Sequence, residues 1–501
     1  MEPAQAERLE NILPDGNFVT LLGLWWSPSR PHVQDPYGFS EAYFDNCFEF
    51  IEKTVHEIAK KKQKVPDTNL TDLYAIKIGA IWREVKQQHI SFWALTGYFF
   101  FEYVRPQSIY PAFDVLPWSK ITLLVAFGAV FMDRSVKWVS SSENVLFMLF
   151  ILVVVLSSVF AFEPSVSWEQ KILIINWLLV YFLFINIVNS EKRLLIFVLG
   201  YLLFSFKMSQ HGFFSFANRG FSFTRWGLSG PGGFFANSGE FAIQMIVFGT
   251  LSLAFALALR GNWGRYKVWF FYFMPFSAFM SVIGSSSRGA QLALAAVGVV
   301  YMLKLRVGIK YLLTFVLLSV VLINFLPEEQ MERFSNIGED KTSRQRLIYF
   351  TYGIGVMNDN PVLGLGYYNW GQYIGFMQPR EFKGRAEEPH NIFIKVGAEL
   401  GYTGLICFLL ITIFVFIINS RTRRAAKKQG NKFFLYLAHG LDAGFVGYLV
   451  AGFFVTVVYY PFFWVQMAMT VALNSITNNQ LRNFEVAEDS EIISDHSAKR
   501  V

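Results

Sequence analysis

A histidine stands where a charged, loop-like segment meets a long apolar one. Residues 327–388 are polar, residues 392–418 read as a membrane-spanning helix, and Pro389-His390-Asn391 lies between them. An imidazole at this junction can meet both a lipid-borne molecule and water. Because the positive end of a helix dipole disfavours imidazolium, His390 is predicted to be neutral, as a general base must be. A capping or interfacial histidine fits the position equally well, and Asn391 could either orient the ring or cap the helix.

A second candidate is an arginine at the end of another apolar segment. Arg288 lies in the Gly-Ser-Ser-Ser-Arg-Gly stretch at 284–289. Arginine near hydrocarbon is costly and tends to mark a function, and its fork of donors suits a phosphate oxygen. The hydroxyl of Ser287 and a helix N-terminus beginning at Gly289 would add donors. The alternative is an arginine that only anchors the chain at the lipid headgroups.

The loop at 219–238 contains two further cations, Arg219 and Arg225, followed by a glycine-rich run around Pro231. Glycines let the backbone approach a ligand closely, and either arginine could supply a second positive charge for a phosphate group. Taken alone, the loop reads more simply as a flexible connection with incidental charge.

Other kinds of chemistry find no support in the sequence. There is no Asp-x-Asp, no His-x-x-x-His and no cysteine pair at ligand spacing, so neither a metal site nor a cofactor is predicted. There is no P-loop. Cys47 lies in a polar region and Cys407 in an apolar one, so no disulfide is expected. The net charge of +7 follows from which loops carry lysine and arginine, so it does not indicate nucleic-acid binding.

The composition sets the class of protein that must position these groups. The chain is 53% hydrophobic and only 16% charged, well below the roughly 25% charged residues of soluble domains. Apolar runs long enough to cross a bilayer recur about twelve times. The predicted fold is an all-α polytopic membrane protein with about twelve transmembrane helices and a large, partly helical periplasmic loop. The predicted spans are 90–104, 115–132, 144–162, 172–189, 193–209, 238–259, 267–285, 288–303, 308–326, 391–418, 433–457 and 460–478.

Lysine and arginine in alternate short loops give the orientation, with both termini in the cytoplasm. This count places Arg225, Arg288 and His390 together on the opposite, periplasmic face. A helix over Ser343–Met357 is expected to lie along the membrane surface there. The predicted organisation comprises an N-terminal cytoplasmic region, a first membrane part, the large periplasmic loop, a second membrane part and a cytoplasmic tail; their bounds are 1–89, 90–326, 327–389, 390–478 and 479–501.

Three motifs resemble the O-antigen ligase and polymerase superfamily. They are Ser-Ser-Arg-Gly at 286–289, the stretch 344–366 ending in Asn-Pro-Val-Leu-Gly-Leu-Gly, and the histidine-led His-Asn-Ile-Phe-Ile-Lys-Val-Gly-Ala-Glu-Leu-Gly from residue 390. Residues 103–111 are also similar to O-glycosylation ligases associated with exosortase systems.

The resemblance implies an inverting, metal-independent glycosyltransferase of the bacterial inner membrane. Such an enzyme moves a glycan from undecaprenyl pyrophosphate to a hydroxyl or amide of a lipid (lipopolysaccharide), protein or glycan acceptor. By position, Arg288 and His390 match the family's phosphate-binding arginine and catalytic histidine. Arg225 is the preferred candidate for a second phosphate-binding arginine, and Arg219 is the alternative. Asn391 and Ser287 are expected to help bind substrate.

Two alternatives stay open at this point. A polymerase of the same superfamily would join lipid-linked repeat units of a polysaccharide instead of transferring them to a different acceptor. A transporter or flippase would need ionisable groups near the membrane midplane, for which Glu399, His439 and Asp442 are candidates, and an inverted repeat. No repeat is visible in the sequence, and the ligase is preferred.

Overall fold

The computed structural model describes residue 52 and residues 68–224, 227–305, 341–382 and 387–498. The chain divides into two compact units, residues 1–72 and 73–501. Every regular element of the described residues is helical, which confirms the predicted all-α class. Three predictions lie outside the described residues: most of the N-terminal region, the span at 308–326 and the side chain of Arg225.

Seventeen α-helices make up the described part of the chain. They are α1 (Leu70–Tyr74), α2 (Ile78–Lys86), α3 (Ile90–Tyr103), α4 (Pro106–Ile109), α5 (Trp118–Val130), α6 (Ser142–Val159), α7 (Pro164–Glu169), α8 (Lys171–Ile187), α9 (Glu191–Asn218), α10 (Ser238–Leu259), α11 (Arg265–Gly284), α12 (Arg288–Leu305), α13 (Lys341–Asp359), α14 (Trp370–Met377), α15 (Ile392–Lys428), α16 (Lys432–Gly452) and α17 (Pro461–Ala498). Short 3-10 turns lie at Pro111–Phe113, Gly233–Phe235, Arg260–Asn262 and Arg380–Phe382.

Nine helical segments of the described chain are long and apolar enough to cross a membrane, and each coincides with a predicted span. The predicted span at 90–104 differs, because α3 has only 14 residues. A helix of that length rises about 21 Å, less than the ~30 Å of a bilayer's hydrocarbon core. The predicted span at 460–478 coincides with the start of α17, which is not among the nine. The polytopic membrane class is therefore confirmed.

The most buried candidate span is α10, with 83% of its apolar window inside the protein. It packs against α11 and α16, while α16 also packs against α12 and α15. Apolar side chains on the outer helices are exposed instead, among them Leu124, Val145 and Leu292. An exposed apolar surface of this kind is what a lipid environment covers. The buried bundle thus holds the ends of α10, α12 and α15 in fixed relation.

Helix α15 does not run straight, which corrects the expectation of one uninterrupted span from residue 392. Its 37 residues would rise about 56 Å, nearly twice the hydrocarbon thickness. The helix is broken at Gly401, where φ is 69° and ψ is −175°. A Cβ added there would lie 2.5 Å from the Val362 carbonyl oxygen, so a side chain is excluded by both conformation and space.

The turn at 361–366 supplies the hydrogen bonds that this break removes. Leu365 N–H donates to the Ala398 carbonyl at 2.9 Å, and Tyr402 N–H donates to the Pro361 carbonyl at 2.8 Å. Buried backbone groups need such partners, and here the loop provides them. Consequently the short first part of α15, which follows His390, is hydrogen-bonded to the loop as well as to the rest of its own helix.

The predicted loop helix is confirmed as α13, and it is a few residues longer than expected. Its inner face carries Tyr349 and Val356, which belong to a buried cluster with Trp370 of α14 and Ala398 of α15. Leu347 of the same helix is exposed. The cluster shows that the loop has a hydrophobic core of its own, which rests on the start of α15.

Candidate functional site

His390 lies just before α15 rather than on it. The helix begins at Ile392, and the Asn391 side chain accepts hydrogen bonds from Phe393 N–H at 2.8 Å and Ile394 N–H at 3.1 Å. Asn391 is therefore the helix cap, one of its two predicted roles. The histidine has a φ of +51°, an uncommon conformation for a residue with a side chain. His390 therefore lies between the loop and the helix, as the sequence predicts, two residues before the first helical position.

The two residues before Pro389 fasten the 387–391 segment to three elements. The Tyr349 hydroxyl donates to the Glu387 carboxylate at 2.6 Å, and the Trp370 indole N–H donates to the Glu387 carbonyl at 2.9 Å. Glu388 forms an ion pair with Lys395 at 2.7 Å. The imidazole is thus positioned by α13, α14 and α15 together.

The surroundings of His390 lower its pKa, so the neutral imidazole is favoured as predicted. Burial is the largest cause of the lowered pKa, and the positive charge of Arg346 is the next. The negative charges of Glu387 and Glu388 raise the pKa instead. From the sequence, the helix dipole was the expected cause of a neutral imidazole, and Arg346 was not indicated. Arg346 lies within the predicted loop helix, one turn from Tyr349. The ring centroid of Tyr349 is 6.4 Å from that of His390.

Behind this segment lies a buried ionic network. The Lys395 ammonium is 2.8 Å from the carboxylate of Glu399, which lies four residues further along the chain. Glu399 also accepts from the Tyr459 hydroxyl at 2.9 Å and from Trp370 N–H at 3.1 Å. The Lys395 ammonium stands 5.2 Å from the Tyr368 ring centroid. These partners hold the Glu399 carboxylate in place behind the 387–391 segment.

The turn between α16 and α17 connects the histidine to the predicted arginine. The Asn391 side-chain amide lies 3.5 Å from the Phe453 carbonyl oxygen. A Cβ placed on Gly289 would be 2.6 Å from the Phe454 Cβ, so the backbone beside Arg288 presses directly on that ring. The neighbours of His390 and of Arg288 therefore contact adjacent residues of one turn, Phe453 and Phe454.

Arg288 is the first residue of α12, one position earlier than expected. The preceding turn includes Ser286, with φ +59°, and Ser285, whose hydroxyl donates to the Val282 carbonyl at 2.6 Å. The Ser287 hydroxyl accepts from Ala290 N–H at 3.4 Å, a helix-capping contact. Ser287 is thus engaged in holding the start of the helix that presents Arg288.

The glycine-rich loop contacts the same turn from the other side. A Cβ on Gly227 would lie 1.9 Å from the Ser285 carbonyl oxygen, and its φ of +68° also favours glycine. Arg219 caps the end of α9, and its guanidinium is 3.5 Å from the Gly227 carbonyl and 3.4 Å from the Thr224 hydroxyl. Of the two candidate arginines, Arg219 is therefore next to the Ser285–Arg288 turn, while Arg225 is outside the described residues.

The segment at 103–111 also reaches this loop, which the sequence did not indicate. The Arg105 guanidinium donates to the Gly232 carbonyl at 2.9 Å. On the opposite side the Phe234 ring stacks edge-on against Tyr460, at 5.0 Å between centroids, and the Tyr460 hydroxyl donates to Glu240 at 3.0 Å. The glycine-rich loop therefore lies between Arg105 and the α16–α17 turn.

The remaining ionisable candidates belong to a separate network. Asp442 pairs with Lys304 at 2.9 Å and with Arg423, and it accepts from Asn419 at 3.0 Å. His439 is buried one turn away on α16. Among the described residues, no group of three or more histidine, cysteine, aspartate or glutamate side chains could hold a metal ion.

Residues 273–409 match the family model of the O-antigen ligases. The match covers less than half of the chain, but it includes Ser287, Arg288, His390 and Asn391. It confirms the resemblance to the O-antigen ligase superfamily and supports a ligase-like or polymerase-like function in general. No curated protein sequence matches the chain.

Proposed function

We propose that this protein is a glycan ligase that transfers a glycan from undecaprenyl pyrophosphate to an acceptor hydroxyl or amide at the periplasmic face of the bacterial inner membrane. The observation that carries the proposal is the meeting of two distant segments at Phe453 and Phe454. Asn391 contacts the first of these residues, and Gly289 presses on the second. These contacts of their chain neighbours support a site in which His390 is the proposed base and Arg288 the proposed phosphate-binding cation, within the part of the chain that resembles O-antigen ligases.

In the proposed reaction His390 accepts the proton of the acceptor hydroxyl. The acceptor oxygen then forms a bond to the anomeric carbon of the donor sugar, and the bond from that carbon to the pyrophosphate oxygen breaks. Attack from the face opposite the leaving group inverts the anomeric configuration. The lowered pKa of His390 supports this role, because only a neutral imidazole can take the proton.

The leaving pyrophosphate gains negative charge as the bond breaks, and cations placed in advance stabilise that charge. Arg288 at the start of α12 is the proposed principal contact, with Arg219 or Arg225 as the second cation. The helix N-terminus beneath Arg288 would contribute further N–H groups. Both termini of the chain are proposed to face the cytoplasm, in agreement with the distribution of lysine and arginine.

The test is transfer by purified protein in liposomes that contain an undecaprenyl-pyrophosphate-linked glycan and a mixture of candidate acceptors, read by mass analysis of the products. We expect His390→Ala and Arg288→Gln each to reduce transfer at least ~100-fold. His211→Ala and Arg83→Gln are matched controls, because both side chains are exposed and neither belongs to the proposed site. Full activity of His390→Ala would refute the mechanism, and products that are extended repeat units would identify a polymerase instead.

A further inference from the structure

We propose that the charged network around Asp442 is a binding site for the phosphate of an anionic phospholipid. The network lies toward the ends of α12 and α15 that are farthest from Arg288 and His390. The inference therefore makes no use of the proposed transfer reaction. It concerns the way in which three helices of the bundle bind the bilayer around them.

Asp442 of α16 brings together two cations from different helices. Lys304 of α12 donates to Oδ2 of Asp442 at 2.9 Å, and Arg423 of α15 donates to the same oxygen. The side-chain amide of Asn419 donates to the other carboxylate oxygen at 3.0 Å. Two positive charges thus stand against one negative charge. Lysine has three N–H donors and arginine five, so both cations keep donors that the carboxylate does not use.

A buried histidine lies one turn away and has an unused polar atom. His439 and Asp442 are three residues apart on α16, so they share a face. His439 is 8% exposed, and its Nδ1 has no hydrogen-bond partner among the described residues. Buried polar atoms of native proteins normally have a partner, so this nitrogen points to a bound ligand. Because the positive charges of Lys304, Arg423 and Lys427 all act on the ring, the ligand is expected to be an anion.

The place of the network along the helices favours a lipid over a soluble anion. Lys304 is the second-last residue of α12, about 24 Å along the helix axis from Arg288. This rise approaches the ~30 Å of a bilayer's hydrocarbon core, so the two residues lie near opposite membrane faces. Leu303, next to Lys304, is 73% exposed, and Val299, one turn earlier, is 48% exposed. Acyl chains that cover these side chains would place a headgroup phosphate beside Lys304.

An anionic headgroup fits both the charge and the unused donors of this network. Basic pockets between membrane helices on the cytoplasmic side are typical binding sites for such headgroups, and this face is proposed to be cytoplasmic. The phosphate oxygens would accept from Lys304, from Arg423 and from the Nδ1–H tautomer of His439. The negative charge of the lipid would balance the excess positive charge. One lipid would thereby connect α12, α15 and α16.

The experiment measures lipid binding to the purified full chain in detergent by native mass spectrometry. Phosphatidylglycerol is titrated against the wild type and Arg423→Gln, and phosphatidylcholine with the same acyl chains is the uncharged comparison. We expect one phosphatidylglycerol to bind the wild type about tenfold more tightly than phosphatidylcholine, and its affinity to fall about fivefold in Arg423→Gln. This variant leaves Asp442 paired with Lys304, so the buried carboxylate keeps a cation.

Arg424→Gln is the matched control, because it removes the same charge from the next, exposed position of α15. Unchanged affinity in Arg423→Gln, an equal loss in Arg424→Gln, or equally tight binding of phosphatidylcholine would overturn the inference. Inorganic phosphate is the third probe, and its displacement of phosphatidylglycerol at millimolar concentration would overturn the assignment to a lipid. If Arg423→Gln is not recovered folded, Lys304→Gln, in which Asp442 keeps Arg423, must show the same loss.

Discussion

The Lys395 ammonium lies 2.8 Å from the Glu399 carboxylate, and both side chains are almost completely buried, at 2% and 0% exposure. They stand one turn apart at the start of α15, directly behind the segment that carries His390. Glu388 reaches the same ammonium from that segment. The pair thus couples the first turns of a membrane helix to the residues that position the imidazole.

Lys395→Met should strongly destabilise the protein. It leaves two carboxylates without their shared cation, and breaking a buried ion pair typically costs about 3–5 kcal/mol. The measurement is thermal unfolding in detergent. Lys428→Met is the control, because its pair with Glu485 is exposed at both side chains and should contribute below ~1 kcal/mol. Equal losses of thermal stability in the two variants would show that the buried network is no more important for the fold than the exposed pair.

Gly401→Ala should destabilise the protein through the break in α15. Its φ and ψ lie in a region that is essentially restricted to glycine, where another residue costs about 1–3 kcal/mol. The added methyl would also collide with the Val362 carbonyl. Gly375→Ala, in a helix with open space around the position, should be neutral or slightly stabilising. Thermal unfolding of both variants tests the break, and a harmless Gly401→Ala would mean that the helix can run straight.

Asn391→Ala should lower stability by about 1 kcal/mol, because two backbone N–H groups lose their acceptor. Asn391→Ser keeps a capping oxygen and should retain most of the stability. If the residue acts only as a cap, transfer activity in the two variants should follow their stability. A folded, stable Asn391→Ser with greatly reduced transfer would show instead that the amide contacts substrate, as the motif had suggested.

Gly289→Ala tests the contact between the start of α12 and the α16–α17 turn. The new methyl would lie 2.6 Å from the Phe454 Cβ, so the ring or the helix start must move. A displacement of about 1 Å can reduce catalysis roughly 100-fold, so transfer should fall while the protein remains folded. Gly128→Ala, which has open space around it on α5, is the control and should leave transfer unchanged.

The pH dependence of transfer should report His390. Because burial and Arg346 lower its pKa, the acidic limb of the pH–rate profile should lie below the ordinary histidine value of about 6.5. Tyr349→Phe keeps the ring but removes the hydroxyl bound to Glu387. The Glu387 carboxylate then has one donor fewer and stabilises imidazolium more strongly, so the acidic limb should move to higher pH. Tyr373→Phe, on the neighbouring helix, should leave it in place; a limb unaffected by Tyr349→Phe would argue against the assignment to His390.

Predictions from the sequence were correct where a structural feature has a local cause. Hydrophobic length identified nine spans, and helical spacing identified the loop helix. The sequence misjudged α15, because the break at Gly401 depends on a loop that approaches from 361–366. It also gave no indication of which face of α13 is buried, since the packing of α14 and α15 against that helix decides this.

By itself, the sequence determined the all-α membrane class and the residue types of the candidate site, His390 and Arg288. Apolar length, composition and short motifs are properties of contiguous residues, so they can be read without a fold. Only the tertiary structure brought Phe454 between Gly289 and Arg346, and only it placed Arg346 beside the histidine. Those contacts join segments that lie far apart in the sequence, and the sequence carries no local signal for them because they arise when separate helices pack.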